Sequence, residues 1–255
     1  MIVRKSPRDI EGLREAGRVV ALAHEAMQAH ATIGVTTREL DEVARDVMKE
    51  HGATSAFLDY HPHFAPSPFP GVICASVNDV IVHGWPNDVP LEDGDLVSID
   101  FGVFKDGWVG DAARSYVVGT PAEADLTLIE RTTAALHAGI DAAVPGNRLG
   151  DIAHAIGTIG REAGYGIPEG WGGHGVGREM HEDPSVPNEG PPGRGLKLKP
   201  GLVIAIEPMF HAGGDDAFTL DEDGWTVRTA DGSRAAHVEH TIAITEDGPR
   251  ILTEP

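Results

Sequence analysis

Residues 96–118 read LVSIDFGVFKDGWVGDAARSYVV, two apolar runs that flank Asp106-Gly107 and carry Asp100 in the first and Asp111 in the second. Apolar stretches of this length broken by Asp-Gly predict a β-hairpin. If its loop holds two residues, Asp100 and Asp111 stand directly opposite or one step diagonal, and both leave the same face of the sheet; a loop with an odd number of residues would turn one of them away. Two neighbouring buried carboxylates repel, and burying either one unpaired costs several kcal/mol or forces protonation. Three further residues sit in similar apolar settings: His174 in GGHGVG, Glu207 in LVIAIEPM and Glu239 in AHVEHTIAIT. Four carboxylates and one imidazole in strand-like surroundings point to a metal centre.

The helices around this hairpin are marked by caps. The first starts at Ser6, with Pro7 in its first position and Asp9 in its first turn, and runs over residues 7–30 with Ile10, Leu13, Val20 and Met27 at helical spacing. The second runs from the capping box at Thr36–Glu39 to a stop at Gly52. The proline-rich stretch HPHFAPSPFPG at 61–71 interrupts regular structure, and strands follow at 72–77 and 80–82. After the hairpin the order repeats. A helix capped near Thr120–Glu123 reaches Ala143, another spans Arg148 to Gly164, and strands follow near 202–207, 225–229 and 236–244. LDEVARDVMKEHG and GDIAHAIGTIGREAG are faintly alike. Two helix–helix–strand units predict an α+β fold whose similar halves enclose one curved antiparallel sheet, with the helices outside. No linker separates them, so residues 1–255 read as one domain.

Forty acidic residues against twenty basic ones give a formal charge of −20, which disfavours nucleic acids and anionic membranes as direct partners. The N-terminal stretch lacks an apolar signal core, and no run approaches the ~18 apolar residues of a membrane span. Cys74 is the only cysteine, which excludes an internal disulfide, fits a reducing cytosol and reads as a small buried residue.

An oxygen-rich ligand set with one nitrogen and no thiolate suits Mn(II), Fe(II), Co(II) or Zn(II). Four carboxylates and one imidazole are too few for two separate sites but suffice for two ions sharing bridging carboxylates, an arrangement that activates water and makes hydrolysis the leading reaction class. HExxH would need a histidine at 185, where the chain has Ser185. The glycines around His174 match no phosphate-loop pattern, and their use is close approach to a cavity.

Taken in order, SVNDVIVHG, IDFGVFKDGWVGD, GGHGVGREMH, IAIEPM and HVEHTIAIT resemble the type I methionine aminopeptidases over residues 7–252. The 33 positions from His174 to Glu207 leave no room for the insertion of the type II enzymes. The resemblance implies a pita-bread fold of two pseudo-symmetric halves. It also implies two divalent ions, with Asp100 chelating one, Asp111 and Glu239 bridging both, and His174 and Glu207 completing the other. His83 and His181 would touch the scissile peptide, and Glu207 would shuttle the proton. The substrate would be the N-terminal methionine of nascent chains, with the second residue small, met by a cytosolic monomer transiently at the ribosome exit.

Cys74, Met180 and Trp225 would line the methionine pocket, with Pro66 and Phe69 standing where relatives have two tyrosines. Gly102 replaces a common threonine. His61 and His63 are expected as exposed loop residues. The rival within the fold, an Xaa-Pro hydrolase, usually carries a separate N-terminal domain, whereas only one helix precedes the common part here. A binding protein that keeps the fold but has lost the metal would lack ligands, and all five positions are filled.

Overall fold

The computed structural model describes residues 2–63 and 65–255. The first half contains α1 (Pro7–His30), α2 (Thr37–Glu50), β1 (Thr54–Ser55), β2 (Ile73–Val77), β3 (Val80–Val82), β4 (Leu96–Lys105) and β5 (Trp108–Val117). The second contains α3 (Glu123–Ala142), α4 (Leu149–Glu162), β6 (Gly172–Gly175), β7 (Glu182–Pro187), β8 (Val203–Ile206), β9 (Met209–His211), β10 (Phe218–Leu220), β11 (Val227–Thr229), β12 (Ala235–His237), β13 (His240–Thr245) and β14 (Gly248–Ile251).

The expected caps start α1 and α2. Ser6 and Asp9 form a reciprocal box at α1, as do Thr36 and Glu39 at α2. At α4 the Asp151 carboxylate accepts from the backbone N–H of Arg148. Helix α3 differs: its N-cap is Ala122, which has no side-chain acceptor, and Thr120 lies outside it. Between β1 and β2 the proline-rich stretch forms no helix or strand among the described residues.

The curved wall is built from two principal antiparallel sheets and two small ones. In the first, β4 pairs with β1 and β2 on one edge and β5 on the other; the second runs β14-β13-β8-β6-β7. Helices α1 and α2 cover the first sheet through Val20, Met27, Leu40 and Met48 against Ile73, Val97, Ile99 and Phe101. Helices α3 and α4 cover the second through Leu136, Ile140, Ile152 and Ile156 against Ile204, Ile206 and Ile242. Each such aliphatic side chain removed from water contributes ~1.5–3 kcal/mol. This repeated layout matches the two halves expected from the sequence.

The single strand expected at 236–244 is broken at Val238-Glu239. There the backbone N–H of Glu239 donates to Ala113 O of the first sheet (2.9 Å), and Thr241 Oγ1 donates to Asp111 O (2.7 Å). The halves are therefore joined beside two of the acids. On the outer side, α1 lies hard against β5: a Cβ on Gly110 would come within 2.5 Å of the Ala16 and Gly17 backbone, so glycine permits the approach next to Asp111. No helix among the described residues is long and apolar enough to cross a membrane.

Candidate metal centre and peptide pocket

The hairpin closes on two residues, with Lys105 opposite Trp108, so Asp100 faces Ala113 and Asp111 faces Gly102 across the β4–β5 ladder. The aspartates are thus one step diagonal and share a face. His174 comes from β6, Glu207 directly follows β8, and Glu239 occupies the break between β12 and β13. His174 Nε2 lies 3.5 Å from Asp111 Oδ2 and 3.8 Å from Glu207 Oε1. Donor atoms of Asp111, His174 and Glu239 all fall within 4.8 Å of one another. A second triplet at the same spacing consists of Glu207, His237 and Glu239, so Glu239 is common to both. Asp100 borders the same cavity but belongs to neither triplet.

Asp111, His174, Glu207 and Glu239 are buried, and Asp100 keeps surface only towards the cavity. Burial pushes the Asp100 carboxyl well above the usual carboxylate range, and the neighbouring Asp111 and Glu207 push it further. Glu239 is raised for the same reasons, burial first and then Asp111 and Glu207. Burial also raises Asp111, with His174 pulling in the opposite direction. For His174, burial opposes protonation, but its contact with Asp111 and the field of Glu207 outweigh it and lift the pKa to about 9. The His174 Nδ1–H donates to Gly175 O (2.9 Å) in the neutral tautomer, which turns the Nε2 lone pair towards the acids.

Buried polar atoms are normally hydrogen-bonded. Here Asp100 Oδ1, Asp111 Oδ1, Glu239 Oε1 and His237 Nε2 are buried without a partner among the described residues. Orphaned acceptors gathered in one cluster of carboxylates and imidazoles fit divalent cations.

Beside the acids opens a cavity of about 520 Å³. Its apolar wall is made by Phe57, Tyr60, Phe69, Cys74, Met180 and Trp225. Trp225 is fixed by its Nε1–H bond to Ser67 O (2.9 Å) and by the Phe69 ring at 5.2 Å. Burial raises the Cys74 thiol well above its usual range, and the surrounding acids add to this, so it remains a thiol. His83 and His181 line the cavity near the acids. His83 adopts φ 62°, a costly region for a non-glycine residue, and packs on Trp171 and Trp225 at 5.3 and 6.1 Å. His181 stacks between His174 (4.4 Å) and Tyr60 (5.4 Å). Burial lowers both to about 4, which keeps the rings neutral at physiological pH.

The expected residues converge with one exception. Pro66 is exposed and lies against Gly224, outside the cavity lining, and it is Tyr60 that stands in the wall beside Phe69. The loop between β1 and β2 folds back by mutual bonds between the 59–60 and 69 backbones, which brings Tyr60 inward. Gly102 lies between Phe57 and Asp111, and His61 and His63 are exposed as expected. Besides Tyr60, two contributors were not read from the sequence. Phe57 carries no signal there. His237 does, because it lies two positions before Glu239, at the strand repeat that returns to the same face.

Comparison with known proteins agrees with this geometry. Residues 11–246 match metallopeptidase family M24. The chain is 51% identical to methionine aminopeptidase 1 of Mycobacterium tuberculosis over 99% of its own length and 95% of that protein. It superposes on the crystal structure of methionine aminopeptidase from Rickettsia prowazekii with a TM-score of 0.95 at 40% identity, covering 99% of this chain and 100% of that one. A prolidase from Pyrococcus furiosus is less similar, with a TM-score of 0.77 at 27% identity over 99% of this chain and 66% of the prolidase. The fold is the pita-bread fold, and the chain belongs to metallopeptidase family M24 and, within it, to the methionine aminopeptidases.

Proposed function

We propose that this protein is a methionyl aminopeptidase that removes the initiator methionine from nascent proteins whose second residue is small. The observation that carries the reading is the set of orphaned buried carboxylate oxygens converging beside an apolar cavity lined by Phe57, Tyr60, Phe69, Cys74, Met180 and Trp225. Asp100, Asp111, His174, Glu207 and Glu239 would hold two divalent ions, Mn, Fe, Co or Zn according to supply. Such a pair, when bound, supplies Lewis acidity and water activated at neutral pH.

The protein's own groups do the rest. The apolar wall takes the methionine side chain, and the acids draw in the free α-amine, which limits cutting to the first peptide bond. The neutral rings of His83 and His181 offer N–H donors to the scissile peptide, and His181 stabilises charge developing on its carbonyl oxygen. Glu207, at the cavity edge of the cluster, carries the proton from water to the leaving amine. The whole chain acts as one catalytic unit, a cytosolic monomer that meets its substrate transiently at the ribosome exit. The −20 charge supports a protein substrate rather than nucleic acid or membrane.

The test is reconstitution of metal-free protein with each of the four metals, followed by assay of Met-Ala-Ser against Ala-Pro-Ala. Release of methionine at more than one bound equivalent is expected, and cleavage of Ala-Pro-Ala alone would refute the reading. Glu207→Gln is expected to lower kcat by roughly 10²–10⁴; an active variant would remove Glu207 from proton transfer.

A further inference from the structure

The geometry points to His237 as a sixth metal ligand, a second imidazole that joins Glu207 and Glu239 at the dinuclear centre. The inference rests on the metallopeptidase reading above and goes beyond its five-residue ligand set.

His237 is buried at 1% exposure, and its Nε2 is one of the atoms without a hydrogen-bond partner among the described residues, the condition shared by Asp100, Asp111 and Glu239. That nitrogen lies 3.2 Å from Glu207 Oε2, yet the two are not aligned as a hydrogen bond. A ring nitrogen and a carboxylate oxygen this close, neither aimed at the other, are placed to share a third atom. Two donors on one ion with bonds of ~2.1 Å sit ~3.0–3.4 Å apart, which matches the observed separation. Glu207 then presents Oε1 to His174 and Oε2 to His237. Each of the two ligand triplets contains one imidazole.

The His237 main chain, which carries the ring, is held from behind through its backbone N–H and C=O. The His237 N–H donates to Ser115 Oγ (3.1 Å), the Ser115 hydroxyl donates to His237 O (2.8 Å), and Ser98 Oγ lies 2.7 Å from Ser115 Oγ. Ser98 and Ser115 face each other on the hairpin that carries Asp100 and Asp111. The same element therefore sets the position of both aspartates and of the imidazole. A second nitrogen donor makes the site softer, and favours Zn(II) or Co(II) over Mn(II) relative to a site with one histidine.

The test is proton NMR of the full-length protein loaded with two equivalents of Co(II), comparing spectra in H₂O and D₂O. Each imidazole bound through Nε2 gives one strongly shifted, exchangeable ring N–H signal. Two such signals are expected in the wild type, one of them lost in His237→Gln and the other in His174→Gln. Titration of apo-protein should show His237→Gln binding its weaker Co(II) equivalent at least about tenfold less tightly, with its Zn(II)-over-Mn(II) preference reduced. A single signal in the wild type would overturn the inference without the need for a folded variant. Methionine release with that single signal rejects only His237; failure to bind Co(II) or cleave Met-Ala-Ser rejects the underlying reading as well.

Discussion

Asp100 and Asp111 stand one step diagonal across a two-residue hairpin, on the same face, with Asp111 buried and Asp100 half-buried in the cavity wall. Without cations this arrangement works against folding. The Asp100 carboxyl is raised by burial and by its acidic neighbours, so the folded protein holds its proton to higher pH than the unfolded chain does. Stability from this group is present at low pH and lost as pH rises through the raised value. Metal-free Asp100→Asn is therefore expected to melt above metal-free wild type at pH 8, by ~2–4 °C for each kcal/mol relieved, with the gap closing towards pH 4. Added metal should reverse the order, because the variant has lost a donor. Thermal unfolding with and without chelator checks both signs.

Gly102 faces Asp111 across the same ladder, and a Cβ there would meet Phe57 Cε1 at 2.8 Å and Met180 Cε at 3.1 Å. Phe57 and Met180 occupy the room that a larger residue would need. Gly102→Thr is expected to cost ~1–3 kcal/mol through overpacking. Phe57→Ala should recover part of that loss in the double variant, although it is destabilising alone. A double-mutant cycle in urea measures the coupling; additivity would show that the two positions do not compete for space.

His24, on α1, places Nε2 2.8 Å from Ala112 O, immediately beside Asp111. Burial, followed by the nearby Arg114 charge, lowers its pKa to about 3. The folded state refuses a proton that the unfolded chain accepts below pH ~6.5. The stability contribution is present above pH 6.5 and lost as pH falls towards 3, opposite in sign to that of Asp100. Replacing His24 by Gln, whose amide can keep the bond to Ala112 O, should remove a loss on the order of 2–3 kcal/mol at pH 4.5. Denaturant unfolding at pH 7 and pH 4.5 gives the difference directly.

The parts of the site that could be read in the sequence were those where a local rule forces the geometry. The Asp106-Gly107 turn brings Asp100 and Asp111 to one face, and an acid within IAIEPM has no use in a strand unless it has a partner. Caps at Ser6 and Thr36 placed their helices, whereas Ala122 starts α3 with no side-chain signal. The break at Glu239 was hidden because its backbone partner, Ala113, lies in the other half of the chain. His237 was legible only as a histidine one strand repeat before Glu239; its closeness to Glu207, thirty positions earlier, comes from the fold. Around the peptide pocket, the family resemblance pointed to Pro66. The loop between β1 and β2 doubles back through paired backbone bonds, so Tyr60 rather than Pro66 reaches the cavity.

That correction has its own consequence for specificity. Tyr60 packs on His181 at 5.4 Å and on Trp225 at 6.4 Å, linking a catalytic imidazole of the proposed mechanism to the methionine wall. Its hydroxyl has no role in those ring contacts, so Tyr60→Phe is expected to keep kcat/KM for Met-Ala-Ser within about threefold, well below the ~1.4 kcal/mol that a tenfold loss represents. Tyr60→Ala removes one face of the pocket and the support of the His181 ring. A loss of roughly 10–200-fold in kcat/KM is expected, with KM rising through the wall and kcat falling through His181. Pro66→Ala, outside the cavity, should change neither constant. Steady-state kinetics on the three variants separate the alternatives: loss in Pro66→Ala with none in Tyr60→Ala would return the pocket wall to the assignment that the family resemblance implied.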